Sequence, residues 1–239
     1  MRIVTYNLRH GGSGKGHWAK VIEQFNPDLF LVQESYPPDA HLPPMLYPGL
    51  GSGAVWQSVG GRKWGSAIWA KQASLRQIEV PGFAGNVVGA AISRFPWTDG
   101  GNLVAFSIHA PAFGGYQKAV HAILDEISKL HDGCDLVIGG DFNLSVSERH
   151  HSESKKTSAA DLAIQARIQN EFALVNCWQL ANPDVPLAQT LRWINDRGAT
   201  PYHCDGIFVP TSWASRLRSC EVHSGAEWNA LSDHNPVEA

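Results

Sequence analysis

The chain has 239 residues, 44% hydrophobic and 17% charged, which is ample for one core. Its formal net charge of -3 argues against a protein that coats nucleic acid by bulk electrostatics, so a polyanion must be held locally or through a metal. No apolar run approaches the roughly 20 residues of a membrane span, and Cys134, Cys177, Cys204 and Cys220 lack zinc-site or disulfide-scaffold spacing, which predicts free, partly buried thiols and favours the cytoplasm.

Met1 leads straight into Arg2-Ile3-Val4-Thr5-Tyr6-Asn7, a β-branched and aromatic run that reads as a strand over 2–7 and not as a signal peptide. A helix is expected over about 16–25 and a strand over 28–33, closed by Glu34. The Pro-rich stretch 37–48 reads as a surface loop, and strands at 53–58, 66–70, 87–93 and 102–109 follow between Gly and Pro turns. The clearest helix spans about 115–131, where Val120, Ile123, Leu124, Ile127 and Leu130 share one face and Gly133 stands beyond as a stop. A strand over 135–139, a helix over about 159–173 and strands over 204–209 and 217–223 complete the order. With no repeat and no dividing linker, these elements predict a single domain over 1–239 in which two facing sheets carry helices outside, a four-layer α/β/β/α sandwich.

The apolar run Leu136-Val137-Ile138 feeds Gly139-Gly140-Asp141-Phe142-Asn143. A carboxylate and a carboxamide two residues apart, behind glycines that let the backbone turn tightly, can face one bound oxyanion. Turn formation alone also explains such residues, but Ser232-Asp233-His234-Asn235-Pro236-Val237 sets a second acid beside an imidazole. Asn7, Glu34, His109 and Asp205 fall at strand ends too. Jointly these are the types that phosphate-ester hydrolysis needs: hard oxygen ligands for a divalent cation, a base for water, and donors for phosphoryl oxygens.

In order along the chain, Thr5-Tyr6-Asn7, Gln33-Glu34, the segment Trp64 to Ile68, His109-Ala110-Pro111, Gly139 to Asn143, Asp205 to Phe208 and Ser232 to Val237 resemble the endonuclease/exonuclease/phosphatase superfamily. That superfamily includes pancreatic-type deoxyribonucleases, abasic-site endonucleases, inositol polyphosphate phosphatases and neutral sphingomyelinases. The resemblance implies a two-sheet sandwich whose strand ends converge on one metal-dependent phosphoesterase site. It implies that Glu34 is the principal ligand of Mg²⁺, with Mn²⁺ as a substitute, and that Asn7 and Asp233 lie near the metal directly or through water. It further implies that Asp205 orients His234 and favours its charged form, that Asp141 positions or deprotonates the attacking water, and that Asn143 and His109 donate to phosphoryl oxygens. Attack would be in line, without a covalent enzyme intermediate.

Arg9, two residues after Asn7, and Ser35-Tyr36 after Glu34 depart from the abasic-site pattern and disfavour abasic-site repair. The Asn-x-Arg start is similar to the deoxyribonuclease branch, where Arg9 would bind a substrate phosphate. His203 and Cys204 before Asp205, and Gly206 after it, replace more usual residues. The loop 145–158, with Arg149, His150, His151, Lys155 and Lys156, reads either as a solvated loop or as a groove edge, with Trp64, Trp97 and Trp193 as stacking or wedge residues. Nucleic acid is the expected partner, a small or lipid-linked phosphate ester the alternative, and a non-catalytic binding module of the same fold the third reading. The chain ends two residues after Val237, which implies a trimmed chain or a short last strand.

Overall fold

The computed structural model describes residues 1–10, 16–38, 53–98, 102–131, 133–192 and 202–239. In chain order the elements are β1 (Ile3–Asn7), α1 (His17–Phe25), β2 (Leu29–Ser35), β3 (Ala54–Ser58), β4 (Gly65–Ala70), β5 (Ser74–Ile78), β6 (Val87–Ser93), β7 (Asn102–His109), α2 (Tyr116–Leu130) and β8 (Asp135–Asp141). They continue as α3 (Ala159–Phe172), β9 (Leu174–Asn176), α4 (Cys177–Ala181), β10 (Asp205–Pro210), β11 (Glu221–Val222), α5 (Ala226–Asn229) and β12 (Val237–Glu238). The strands form two six-stranded sheets, ordered β11-β12-β1-β2-β4-β3 and β5-β6-β7-β8-β10-β9. β1 and β2 run parallel, as do β7 and β8, while β10 lies antiparallel to β8.

Strand alternation sorts the side chains into layers. Val4, Tyr6, Phe30 and Val32 point outward and pack with Trp18, Val21 and Phe25 of α1 and Trp228 of α5. On the other sheet Val104, Phe106, Ile108, Leu136 and Ile138 pack with Val120, Ile123, Leu124 and Ile127 of α2 and Ile164 and Ile168 of α3. Between the sheets Ile3, Leu29, Leu31 and Ile68 meet Val88, Ala105, Val137 and Ile207. The result is the expected α/β/β/α sandwich, each buried aliphatic or aromatic side chain contributing about 1.5–3 kcal/mol of transfer free energy.

Several details differ from the sequence reading. β5, β9, β12, α4 and α5 carry too few apolar positions to signal themselves. The strand expected over 217–223 shrinks to Glu221–Val222, because Thr211–Arg216 winds into a 3-10 helix and the partner β12 offers only two residues. Gly139 and Gly140 lie inside β8 and make no turn. They permit close approach instead: Gly140 has φ +142 and a Cβ there would sit 2.0 Å from Ile108 O, while one on Gly139 would meet Leu31 Cδ1 at 2.7 Å. Residues 39–48 of the Pro-rich stretch lie outside the described residues. None of the four cysteines is disulfide-bonded, and no helix among the described residues is long and apolar enough to cross a membrane.

Candidate active site

The inner face of the sandwich changes character along its length. In β1, Ile3 gives way to Thr5 and Asn7; in β2, Leu29 and Leu31 to Gln33; in β7, Leu103 and Ala105 to Ser107 and His109; in β8, Val137 to Asp141. β10 runs the other way, so Asp205 at its start joins the same polar end. Gln33 Nε2 donates to Thr5 Oγ1 at 3.2 Å and to Ser107 Oγ at 2.9 Å, and Ser107 Oγ donates to Val32 O at 2.9 Å. This buried lattice ties the two sheets together beneath the site and satisfies groups that would otherwise be costly to bury.

Simple alternation would turn Glu34 outward with Phe30 and Val32. A bulge between Val32 and Ser35, with Glu34 at φ +52, turns it to the site instead. Asn7 Nδ2 donates to Glu34 Oε1 at 3.3 Å and to Asp141 Oδ2 at 3.1 Å, so two carboxylates converge on one amide. His109 Nε2 lies 3.4 Å from the same Glu34 oxygen and 3.9 Å from the same Asp141 oxygen. The other Glu34 oxygen accepts the His10 backbone N–H at 2.7 Å and lies 3.0 Å from His10 Nδ1. Arg9 Nε is 3.5 Å from Asp233 Oδ2 at the rim, with its side chain 48% exposed. Arg9, His10 and Asn143 also hold positive φ, and such clustering of disfavoured backbone is common where geometry is fixed for function.

Asp141 Oδ1 accepts the Asn143 backbone N–H at 2.9 Å. Asn143 Nδ2 donates to Ala110 O at 3.0 Å, and Tyr202 Oη donates to Asn143 O at 2.7 Å, so the turn after β8 is fastened from two sides. Buried His234 places Nδ1 at 3.1 and 2.9 Å from the two Asp205 oxygens and Nε2 at 3.7 Å from Asp141 Oδ2. Burial alone would lower its pKa, but the charges of Asp205 and Asp141 and the Asp205 hydrogen bond outweigh it and raise the value to about 10. The neighbouring imidazole shows the opposite balance: burial dominates at His203, whose Nδ1 meets only Ala188 O at 2.8 Å, and its pKa falls to about 4.

Cys204 Sγ donates to Asp205 Oδ2 at 3.5 Å, and burial pushes the thiol well above its usual range, so it is protonated. Asp141, Cys204, Asp205 and His234 each bring one ligand atom within 4.8 Å of the others, a group that could hold a metal ion. The backbone N–H groups of Cys204 and Asp205 donate to Thr190 Oγ1 at 2.9 and 3.1 Å. Two residues on, Arg192 N donates to Asp233 O at 2.8 Å and Arg192 Nη2 to His234 O at 3.2 Å, and its guanidinium also bonds Asn235 Oδ1 and Ser232 O. The short segment Thr190–Arg192 thus fastens both polar loops.

Asn7, Glu34, His109, Asp141, Asn143, Asp205, Asp233 and His234 all meet at this end of the sandwich, with Arg9 at its rim. Trp64 joins them, its ring centroid 5.7 Å from that of His109. The loop 145–158 is tied down in part, since Arg149 pairs with Glu153 at 2.8 Å and both side chains are only 9% exposed. Trp97 is 46% exposed but lines a cleft of about 570 Å³ with Met1, Arg2 and Trp213, at the other end of the strands. Trp193 lies outside the described residues. Sequence reasoning missed His10, Thr190 and Arg192. They belong to no periodic element, and only the tertiary fold brings them to the site.

A model of the endonuclease/exonuclease/phosphatase family matches residues 4–234. Among curated proteins, the transposon TX1 uncharacterized 149 kDa protein of Xenopus laevis is 26% identical over 132 residues, 55% of this chain. The match spans only 10% of that protein's length. Among solved structures, an AP endonuclease from Archaeoglobus fulgidus is similar with TM-score 0.71 and 18% identity, covering 100% of this chain and 98% of that one. A 3' phosphatase, NExo from Neisseria, bound to product DNA hairpin, gives TM-score 0.70 and 18% identity over 100% and 98% of the two chains. The endonuclease domain of TRAS1, a telomere-specific non-LTR retrotransposon, gives 0.66 and 17% over 99% and 96%. At these identities the structural likeness is one of fold.

Proposed function

The chain belongs to the endonuclease/exonuclease/phosphatase family, and from that premise we propose that it is a divalent-metal-dependent phosphodiesterase acting on nucleic acid. The observation that carries this reading is the convergence of Glu34 and Asp141 on the single amide of Asn7, beside a His234 held charged by Asp205. Two carboxylates facing one neutral amide repel each other, and hard oxygen donors of this kind suit Mg²⁺, with Mn²⁺ as a substitute. Glu34 would hold the ion, with Asn7 and Asp233 beside it. The Asp141, Cys204, Asp205 and His234 group fits a metal less well, because Asp205 and His234 already satisfy each other and the thiol keeps its proton.

When bound, the ion would supply Lewis-acid stabilisation of phosphoryl charge. The protein's own part is positional and electrostatic. Asp141, oriented by the Asn143 backbone N–H, accepts a proton from the attacking water. His234, charged and fixed through Nδ1, presents Nε2 to the phosphate. His109 Nε2 and the amide hydrogen of Asn143 left over from Ala110 donate to the phosphoryl oxygens. Arg9 receives a neighbouring phosphate at the rim. Displacement is in line, with water on the face opposite the leaving oxygen. The likenesses to the TRAS1 endonuclease domain and to NExo bound to a DNA hairpin support nucleic acid over a small or lipid-linked ester. Calorimetric titration tests the ion assignment: Mg²⁺ should bind the natural protein and fail to bind Glu34→Gln, and unchanged binding by that variant refutes the assignment.

A further inference from the structure

At the mouth of the site three aromatic rings lie in sequence. The His10 and Trp64 centroids are 5.5 Å apart, and those of Trp64 and His109 5.7 Å apart. The inner ring, His109, faces Glu34 and Asp141, whereas the outer ring, His10, is 66% exposed and is pinned through Nδ1 to Glu34 Oε2 at 3.0 Å. Trp64 is partly exposed and leads into β4, and the two residues before it, Arg62 and Lys63, are exposed and make no ion pair with a described residue. An indole flanked by two tilted imidazoles, interplanar angles 53° and 58°, and preceded by two cations with no ion pair among the described residues is an unusual use of surface in a chain of net charge -3.

We propose that His10 and Trp64 form a shelf that stacks an unpaired nucleobase next to the scissile phosphate, while Arg62 and Lys63 follow the backbone of the same strand. This rests on the phosphodiesterase reading above and narrows its substrate to a single strand or an unpaired stretch. Aromatic faces bind any base because every base has a π-face. In a duplex both faces of each base are covered by its neighbours, so the shelf can engage only a nucleotide that is unstacked. A lipid headgroup or sugar phosphate offers no such face, and the shelf would contribute little to binding it.

The test measures equilibrium binding of a fluorescein-labelled oligothymidylate, and of the same strand in a blunt duplex, to the full chain with chelator present so that nothing is cleaved. Trp64→Ala should weaken single-strand binding about tenfold, the value of one base–aromatic stack. Trp64→Phe should restore most of it, and duplex binding should change far less. Equal weakening of both ligands, or no weakening in a folded Trp64→Ala protein, overturns the shelf. If Trp64→Ala does not fold, the surface double variant Arg62→Ala/Lys63→Ala decides: the slope of log affinity against log salt should flatten by about 1.4 for the single strand, and an unchanged slope overturns the proposal. The two readings fail separately. Trp64-dependent binding without Mg²⁺-dependent cleavage removes the enzyme and keeps the shelf; cleavage with Trp64-independent binding does the reverse.

Discussion

The inter-sheet space has two halves built on the same strands. In one, Leu29, Leu31, Val137 and Ile207 fill the space as an apolar core. In the other, Asn7, Glu34, His109, Asp141, Asp205 and His234 replace that packing with carboxylates, imidazoles and amides. The first half lowers the free energy of the fold. The second brings like charges together, an arrangement that costs stability and is explicable by chemistry done there.

The comparison breaks if the halves respond alike to substitution. The largest expected effect is Asp141→Asn, which should lower hydrolysis at least about a thousandfold, roughly 4 kcal/mol of transition-state stabilisation, with little change in the thermal midpoint. Leu31→Ala in the apolar half should cost about 3 kcal/mol of unfolding free energy while the folded fraction keeps its kcat. Equal stability losses from both, by urea unfolding, would erase the distinction.

The strands, the main helices and the paired loops were legible in the sequence because each rests on local pattern: β-branched runs, the one-face spacing of residues 120–130, and polar residues stationed after apolar ones. The orientation of Glu34 was not legible in that way, since alternation alone sends it outward and only the bulge brings it in. Gly139 and Gly140 looked like turn formers, because close approach to Ile108 O and Leu31 becomes visible only once β7 and β2 are packed against β8. Arg192 gave no signal at all, as its partners Ser232, His234 and Asn235 lie some forty positions away.

Arg192 sharpens the comparison from outside both halves. Arg192→Ala should lower kcat about 10- to 100-fold, the usual cost of losing a group that orients site residues, without abolishing Mg²⁺ binding. Arg192→Lys should fall between the two, because it keeps the charge and loses the planar fork. A kcat unchanged in Arg192→Ala would show that the loop 232–235 holds itself.

A further contrast lies in the pH dependence of stability, and it sets the two buried imidazoles against each other. At His203 the folded value of about 4 lies below the ordinary 6.5, so its contribution is full above 6.5 and is lost as pH falls toward 4. At His234 the folded value of about 10 lies above 6.5, so its contribution is full below 6.5 and is lost as pH rises through 10. Urea unfolding across this range, with chelator present, should show His203→Phe flattening only the acid side of the profile; an unchanged acid slope would contradict the neutral burial of His203.

The central claim, that the polar half hydrolyses phosphodiesters, is tested most directly by incubating supercoiled plasmid, whose torsional stress exposes unpaired stretches, with the protein plus Mg²⁺, with chelator, and with His234→Ala. The account predicts nicking by the natural chain with Mg²⁺ alone, and none in the other two reactions. Nicking that persists in chelator or in His234→Ala, or no nicking by a folded chain that binds Mg²⁺, would contradict it.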